Sequence, residues 1–133
     1  MERLGSGRPL ESQIGFSRVV IAGTLVAVSG CAPTNPDGSS AGGDDPYLQA
    51  NACLEVIKAA LSRAGCSVAD VYRTRIFLTD AADWKAVGRA HGECFAGSPP
   101  ASTMVVVKAL LRPEWRVEIE ADAVRPEGLG RQQ

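Results

Sequence analysis

One histidine, His91, and four scattered cysteines are all that this chain offers a soft metal. Cys31, Cys53, Cys66 and Cys94 form no CxxC pair, so neither a zinc site nor a dithiol redox motif is spelled out. Thiols so separated are expected to stay reduced, in a cytoplasmic protein. An excess of either charge is lacking as well: 14 basic and 15 acidic side chains leave a net charge of −1 and a pI near 5.8. That balance gives no general attraction to phosphate backbones, and no basic patch interleaved with aromatics compensates, so nucleic acid is a poor partner. Nothing points to a cofactor or a metal. At 133 residues with 45% hydrophobic content, the chain can bury one core but not two.

Long apolar runs are absent too. The stretch Val19 to Val28 is short, but it ends in Val28-Ser29-Gly30-Cys31 and leads into a polar segment, a pattern shared with bacterial lipoprotein signals. On that reading Arg3, Arg8 and Arg18 form the positive leader, Cys31 is lipidated, and Ala32 to Asp45 is a tether. Glu2 and Glu11 dilute the leader, however, and Gly23-Thr24 divides the run into Val19-Val20-Ile21-Ala22 and Leu25-Val26-Ala27-Val28. Two β-rich pieces with a turn between them favour a hairpin inside the domain and no membrane role.

Turn formers then dominate from Pro33 through Asn35-Pro36-Asp37-Gly38 to Gly42-Gly43, which reads as a long surface loop. Asp45 can cap a helix that Pro46 begins, along which Tyr47, Ala50, Leu54, Ile57 and Leu61 recur at helical spacing until Gly65 stops it. Val71 to Leu78 is strand-like and puts Arg73 and Arg75 on one face. A second helix follows, opened by Asp80 and Asp83, with Trp84, Val87, His91 and Phe95 along one stripe, and Gly97-Ser98-Pro99-Pro100 ends it.

Pro100 to Val107 and Trp115 to Val124 read as two strands joined by a turn. In the second, Trp115, Val117, Ile119, Ala121 and Ala123 point one way while Arg116, Glu118, Glu120 and Asp122 point the other. The order β-β-α-β-α-β-β argues for an α+β fold in which two helices cover one face of a mixed sheet. The second face is left open, to be covered by another copy or solvated with its charges paired. Residues 1–12 are expected to be loosely ordered, 13–124 to form the single domain, and 125–133 to be a loose tail.

Between Gln13 and Val124 the chain resembles the reactive intermediate deaminase, or YjgF, family. The resemblance is carried by Ile14-Gly15-Phe16-Ser17, by Val28-Ser29-Gly30 with Pro33 and Asn35-Pro36-Asp37-Gly38, by Phe77-Leu78-Thr79-Asp80, by Pro100-Ala101 and by Val117-Glu118-Ile119-Glu120-Ala121. It implies a chorismate-mutase-like fold assembled as a homotrimer, with small-molecule clefts between subunits and the open sheet faces around the threefold axis. Usual members hydrolyse enamines and imines to a carbonyl product and ammonia. An arginine fork can grip the substrate carboxylate, and a glutamate can orient the attacking water. Glu118 matches that glutamate, and Ser29, Gly30 and Cys31 match the wall of the cleft.

The departures from the family pattern concern the substrate-binding positions. Ser102 stands directly after Pro-Ala where active members carry the arginine; Phe16 replaces a frequent tyrosine, Met104 a frequent cysteine, and Gly88 an asparagine. Each change should make the cleft more apolar, and loss of the arginine alone would cost about 2 to 5 kcal/mol toward a 2-imino acid. Arg75 is a candidate relocated anion anchor, against its alternative as an ion-pair partner of Glu118 or Glu120. His91 is read as a packed or interfacial residue, with a catalytic substitute role as its alternative. Three functions follow: an enamine or imine hydrolase of altered specificity, a metabolite-binding trimer without turnover, and, disfavoured by charge, an endoribonuclease.

Overall fold

The structure is a computed structural model that describes residues 1–126. Strand β1 (Glu2–Leu4) and helix α1 (Pro9–Ile14) precede the hairpin β2 (Val19–Ala22) and β3 (Leu25–Cys31). Helix α2 (Pro46–Arg63), strand β4 (Val71–Leu78), helix α3 (Trp84–Cys94), β5 (Ala101–Val106) and β6 (Val117–Val124) follow. The six strands form one sheet in the order β1-β2-β3-β6-β4-β5, with only the β4–β5 pair parallel. A mixed sheet with two long helices on one face is the expected architecture.

Local chemistry explains most of the elements. Gly23, at φ 64°, closes the β2–β3 hairpin with Ala22 opposite Leu25. The Asp45 carboxylate accepts from the backbone N–H groups of Tyr47 and Leu48, and Pro46 takes the first position of α2. Gly65, at φ 77°, ends the turn after that helix. Arg116 ties the starts of α2 and α3 to the start of β6: Nε and Nη2 donate to the buried Asp83 carboxylate at 2.9 and 3.0 Å, and Nη1 to Asp44 at 3.0 Å.

The core lies between the sheet and helices α2 and α3. Val19, Ile21, Val26, Val28, Ile76, Leu78, Val117 and Ile119 meet Leu54, Ile57, Leu61 and Val87 there, all buried. Along β6 the alternation holds: Trp115, Val117, Ile119, Ala121 and Ala123 are buried, and Glu118, Glu120 and Asp122 share the opposite face. No helix among the described residues is long and apolar enough to cross a membrane.

Three expectations change, and one is not reached. Residues 1–12 are not a loose segment, because Glu2 to Leu4 pair with Val19 to Ile21 and Pro9 starts a helix; the strand is too short to signal itself in sequence. β5 and β6 are not a hairpin: β4 lies between them, hydrogen-bonded to both, so residues 107–116 form a connection across an intervening strand. Trp84 does not join the stripe of α3 but is exposed, covered in part by the Lys85 ammonium 5.6 Å from its ring. The tail expected over 125–133 lies, from residue 127 onward, outside the described residues.

Candidate functional site

A β-bulge shapes the site. Val28 faces Ala121 and Cys31 faces Ile119, so β3 spends one more residue than β6 between these pairs, and the surplus falls at Ser29 and Gly30. The bulge brings the Gly30 backbone against Glu118, and a Cβ at position 30 would run into Oε2 of that carboxylate. It also turns Cys31 into the core. Cys31 is therefore not an accessible group of the cleft wall: it is fully buried, and burial pushes its thiol up to about 11 despite the neighbouring Arg18.

Over this bulge opens a cleft of about 460 Å³, lined by Phe16, Ser29, Gly30 and Glu118 together with residues of α1, of the 32–38 loop and of the 111–115 segment. Two carboxylates line it: Glu120, which is held by Arg75, and Glu118. Glu118 makes no hydrogen bond or ion pair among the described residues, and burial raises its carboxyl above the ordinary range, with Glu120 adding to and Arg18 opposing the effect. Ser29 Oγ donates to the Ser17 carbonyl at 2.6 Å, fixing the entry to the bulge.

The second support is a buried ion pair that sequence reasoning missed. Arg18 Nε donates to Glu11 at 3.1 Å with both residues less than a tenth exposed, and Arg18 Nη1 donates to the carbonyl of Gly30 at 2.8 Å. Glu11 also accepts from Ser6 N–H at 2.8 Å. Burial alone would raise the Glu11 carboxyl, but the bonds from Ser6 and Arg18 outweigh it and hold it below the usual range. Arg8 and Arg112 line the cleft as well, so it is not the apolar pocket expected from the loss of polar family residues. Glu11 and Arg18 are only seven residues apart, but no regular period links a helix to the strand that follows it, and Arg18 reaches Gly30 and Arg112 reaches Gly38 across longer separations, so the local pattern announces none of these contacts.

The remaining sequence candidates lie elsewhere. Arg75 does not line the cleft; its Nη1 donates to Glu120 at 3.0 Å and Asp122 at 3.2 Å, the ion-pair alternative. Ser102 and Met104 face Thr74 and Ile76 across the β4–β5 pairing, on the helix side of the sheet, whereas Glu118 faces Phe77 on the opposite side. Within one chain these residues cannot share a cleft with Glu118, because one strand position decides the face. A polar chain runs there instead, with Ser102 Oγ 2.8 Å from Thr74 Oγ1 and the latter 2.8 Å from His91 Nε2. His91 also packs on Phe95 with ring centroids 4.7 Å apart, and burial lowers its pKa. Gly88 sits on α3 with open space where a side chain would be. β5 itself is an edge strand with Val105 and Val106 exposed.

A mixed sheet backed by two helices, with a carboxylate-bearing cleft at a bulge, defines a single-sheet α+β domain with a cleft of ligand size. The chain belongs to the endoribonuclease L-PSP family, the YjgF or reactive intermediate deaminase group, whose model matches residues 7–125. A crystal structure of Rv2704 from Mycobacterium tuberculosis, a member of the YjgF/YER057c/UK114 family, is 41% identical and superposes with a TM-score of 0.84 over 92% of this chain and 98% of that one. Escherichia coli TdcF with bound serine is 31% identical, TM-score 0.77, over 84% and 88%. The 3-aminoacrylate deaminase RutC of Acinetobacter baylyi is 36% identical over 102 residues, 77% of this chain and 80% of that protein.

Proposed function

We propose that the chain is an enamine or imine hydrolase of altered specificity, working as a homotrimer whose clefts lie between subunits. The observation that carries this reading is Glu118: a half-buried carboxylate, unpaired among the described residues, facing a cleft of ligand size. In the reaction, ionised Glu118 takes a proton from water as its oxygen bonds to the C=N carbon. The proton passes to the nitrogen to give a carbinolamine. Glu118 then takes the hydroxyl proton and hands it to the nitrogen as the C=O bond forms and the C–N bond breaks, and a carbonyl compound and ammonia leave. Glu118 must be ionised for this, and its raised pKa makes it a stronger base when it is.

The trimer is supported by family membership and by the exposed β5 edge. It would also place Ser102 and Met104 of one subunit near the cleft of the next, which a single chain cannot do. A second reading, a trimer that binds a metabolite without turnover, is favoured by Ser102, since an uncharged hydroxyl stands where the family's arginine would grip a carboxylate. Endoribonuclease activity runs against the net charge of −1 and the pI near 5.8.

The test is ammonia release from two freshly generated imines, one bearing an α-carboxylate and one without. Wild type is expected to hydrolyse at least one and Glu118→Gln neither. Inactive wild type beside an active Ser102→Arg would make binding without turnover the correct account. A monomeric mass at micromolar concentration would sink the trimer.

A further inference from the structure

The cleft holds two cations that the proposed chemistry does not use. Arg8 donates from Nε to Thr34 Oγ1 at 2.8 Å and from Nη2 to the Thr34 carbonyl at 3.2 Å; Arg112 donates from Nη1 to the Gly38 carbonyl at 3.2 Å. Both guanidinium groups thus dock on one loop, closed by the Thr34–Ser40 bridge, and both line the cleft. Neither is in an ion pair among the described residues. A guanidinium has five N–H donors, so most of those on Arg8 and Arg112 are left for a ligand. Arg112 lies over Trp115, its central carbon 5.2 Å from the ring centroid, and Arg8 is partly desolvated beside Arg18, an effect that the nearby Glu11, itself bound to Arg18, only partly offsets. Large apolar side chains share the same opening: Ile14 and Leu111 are 58% and 69% exposed.

We propose that Arg8 and Arg112 form an anion-binding fork at the cleft, and that its ligand is an organic acid with a sizeable apolar body. The carboxylate lies on the two guanidinium groups, the apolar body against Leu10, Ile14 and Leu111, and the far end reaches toward Glu118. This differs from a grip on an α-carboxylate from position 102, and the cleft volume of about 460 Å³ is several times that of a three-carbon acid. The inference rests on the cleft being a small-molecule site, but not on catalysis there.

Isothermal titration calorimetry with 4-phenylbutanoate, its uncharged isostere 4-phenylbutanamide, and acetate tests it. Wild type is expected to bind the phenyl acid roughly ten- to a hundredfold more tightly than the amide and than acetate. In Arg112→Ala and Arg8→Gln the preference for acid over amide should fall to near unity, while Lys58→Gln, on α2 outside the cleft lining, keeps it. Equal affinity for acid and amide in wild type, or no saturable binding of the acid at millimolar concentration, overturns the proposal. Should either arginine variant fail to fold, the wild-type comparison of acid with amide decides alone. Ammonia release is measured separately. An acid preference without hydrolysis leaves the fork standing and removes the hydrolase, whereas hydrolysis without an acid preference does the reverse.

Discussion

The Glu118 carboxylate lies against the Gly30 backbone so closely that residue 30 has no room for a Cβ. Gly30 does not have a positive φ, so alanine fits the backbone there and the collision is with the movable end of a side chain. Gly30→Ala should therefore cost little stability and push Glu118 aside. A misplacement of that kind costs on the order of a hundredfold in rate. Imine hydrolysis by Gly30→Ala, beside its thermal midpoint, checks this; a large loss of stability with an unchanged rate per folded molecule would refute it.

Glu118 should also destabilise the domain that it serves. Its folded pKa is raised by burial, so folding favours the protonated form, and this favourable contribution is lost as pH rises through the folded pKa. At neutral pH, Glu118→Gln is expected to stabilise by about 1 kcal/mol while abolishing turnover. The gain should shrink in acid, where the wild-type carboxyl is itself protonated. Urea midpoints of both proteins at neutral and acidic pH measure it, and a Gln variant less stable at neutral pH would contradict it.

Cys31 and Cys53 are fully buried, and burial raises both thiols, that of Cys31 to about 11. Cys66 and Cys94 are partly exposed. A thiol reagent applied to the native protein at mildly alkaline pH should modify no more than Cys66 and Cys94, and all four after unfolding. Rapid native labelling of Cys31, read by peptide mass, would show that the bulge does not hold it in the core.

The hairpin at Gly23, the capped helix at Asp45 and the alternating strand 117–124 were legible because each is written in consecutive residues. So was Glu118, through a motif on a regular strand. Three things were not. β1 pairs three residues with partners about seventeen positions away, the strand order inserts β4 between β5 and β6, and the bulge reverses which way Cys31 points. Each is decided by pairing between segments that no local period connects, as are the placements of Arg8 and Arg112. A resemblance that located Ser102 in the site could not say that Ser102 and Glu118 occupy opposite faces within one chain.

The pair Glu11–Arg18 links the N-terminal segment to the cleft wall, and removing either partner leaves the other buried and uncompensated. Glu11→Ala should cost about 3 kcal/mol or more, well beyond a surface ion pair. The pH dependence has the opposite sign to that of Glu118. The Glu11 pKa is depressed on folding, so its contribution is present above the ordinary carboxylate range and is lost as pH falls through the folded value. The stability gap between wild type and Glu11→Gln should therefore close in acid. Since Arg18 also holds the Gly30 carbonyl, the variant should bind cleft ligands more weakly even where it is folded. Urea midpoints against pH, with calorimetry on the folded fraction, separate the two effects. A variant equally stable at all pH values would mean that the pair is a solvated contact and that α1 is held by packing alone.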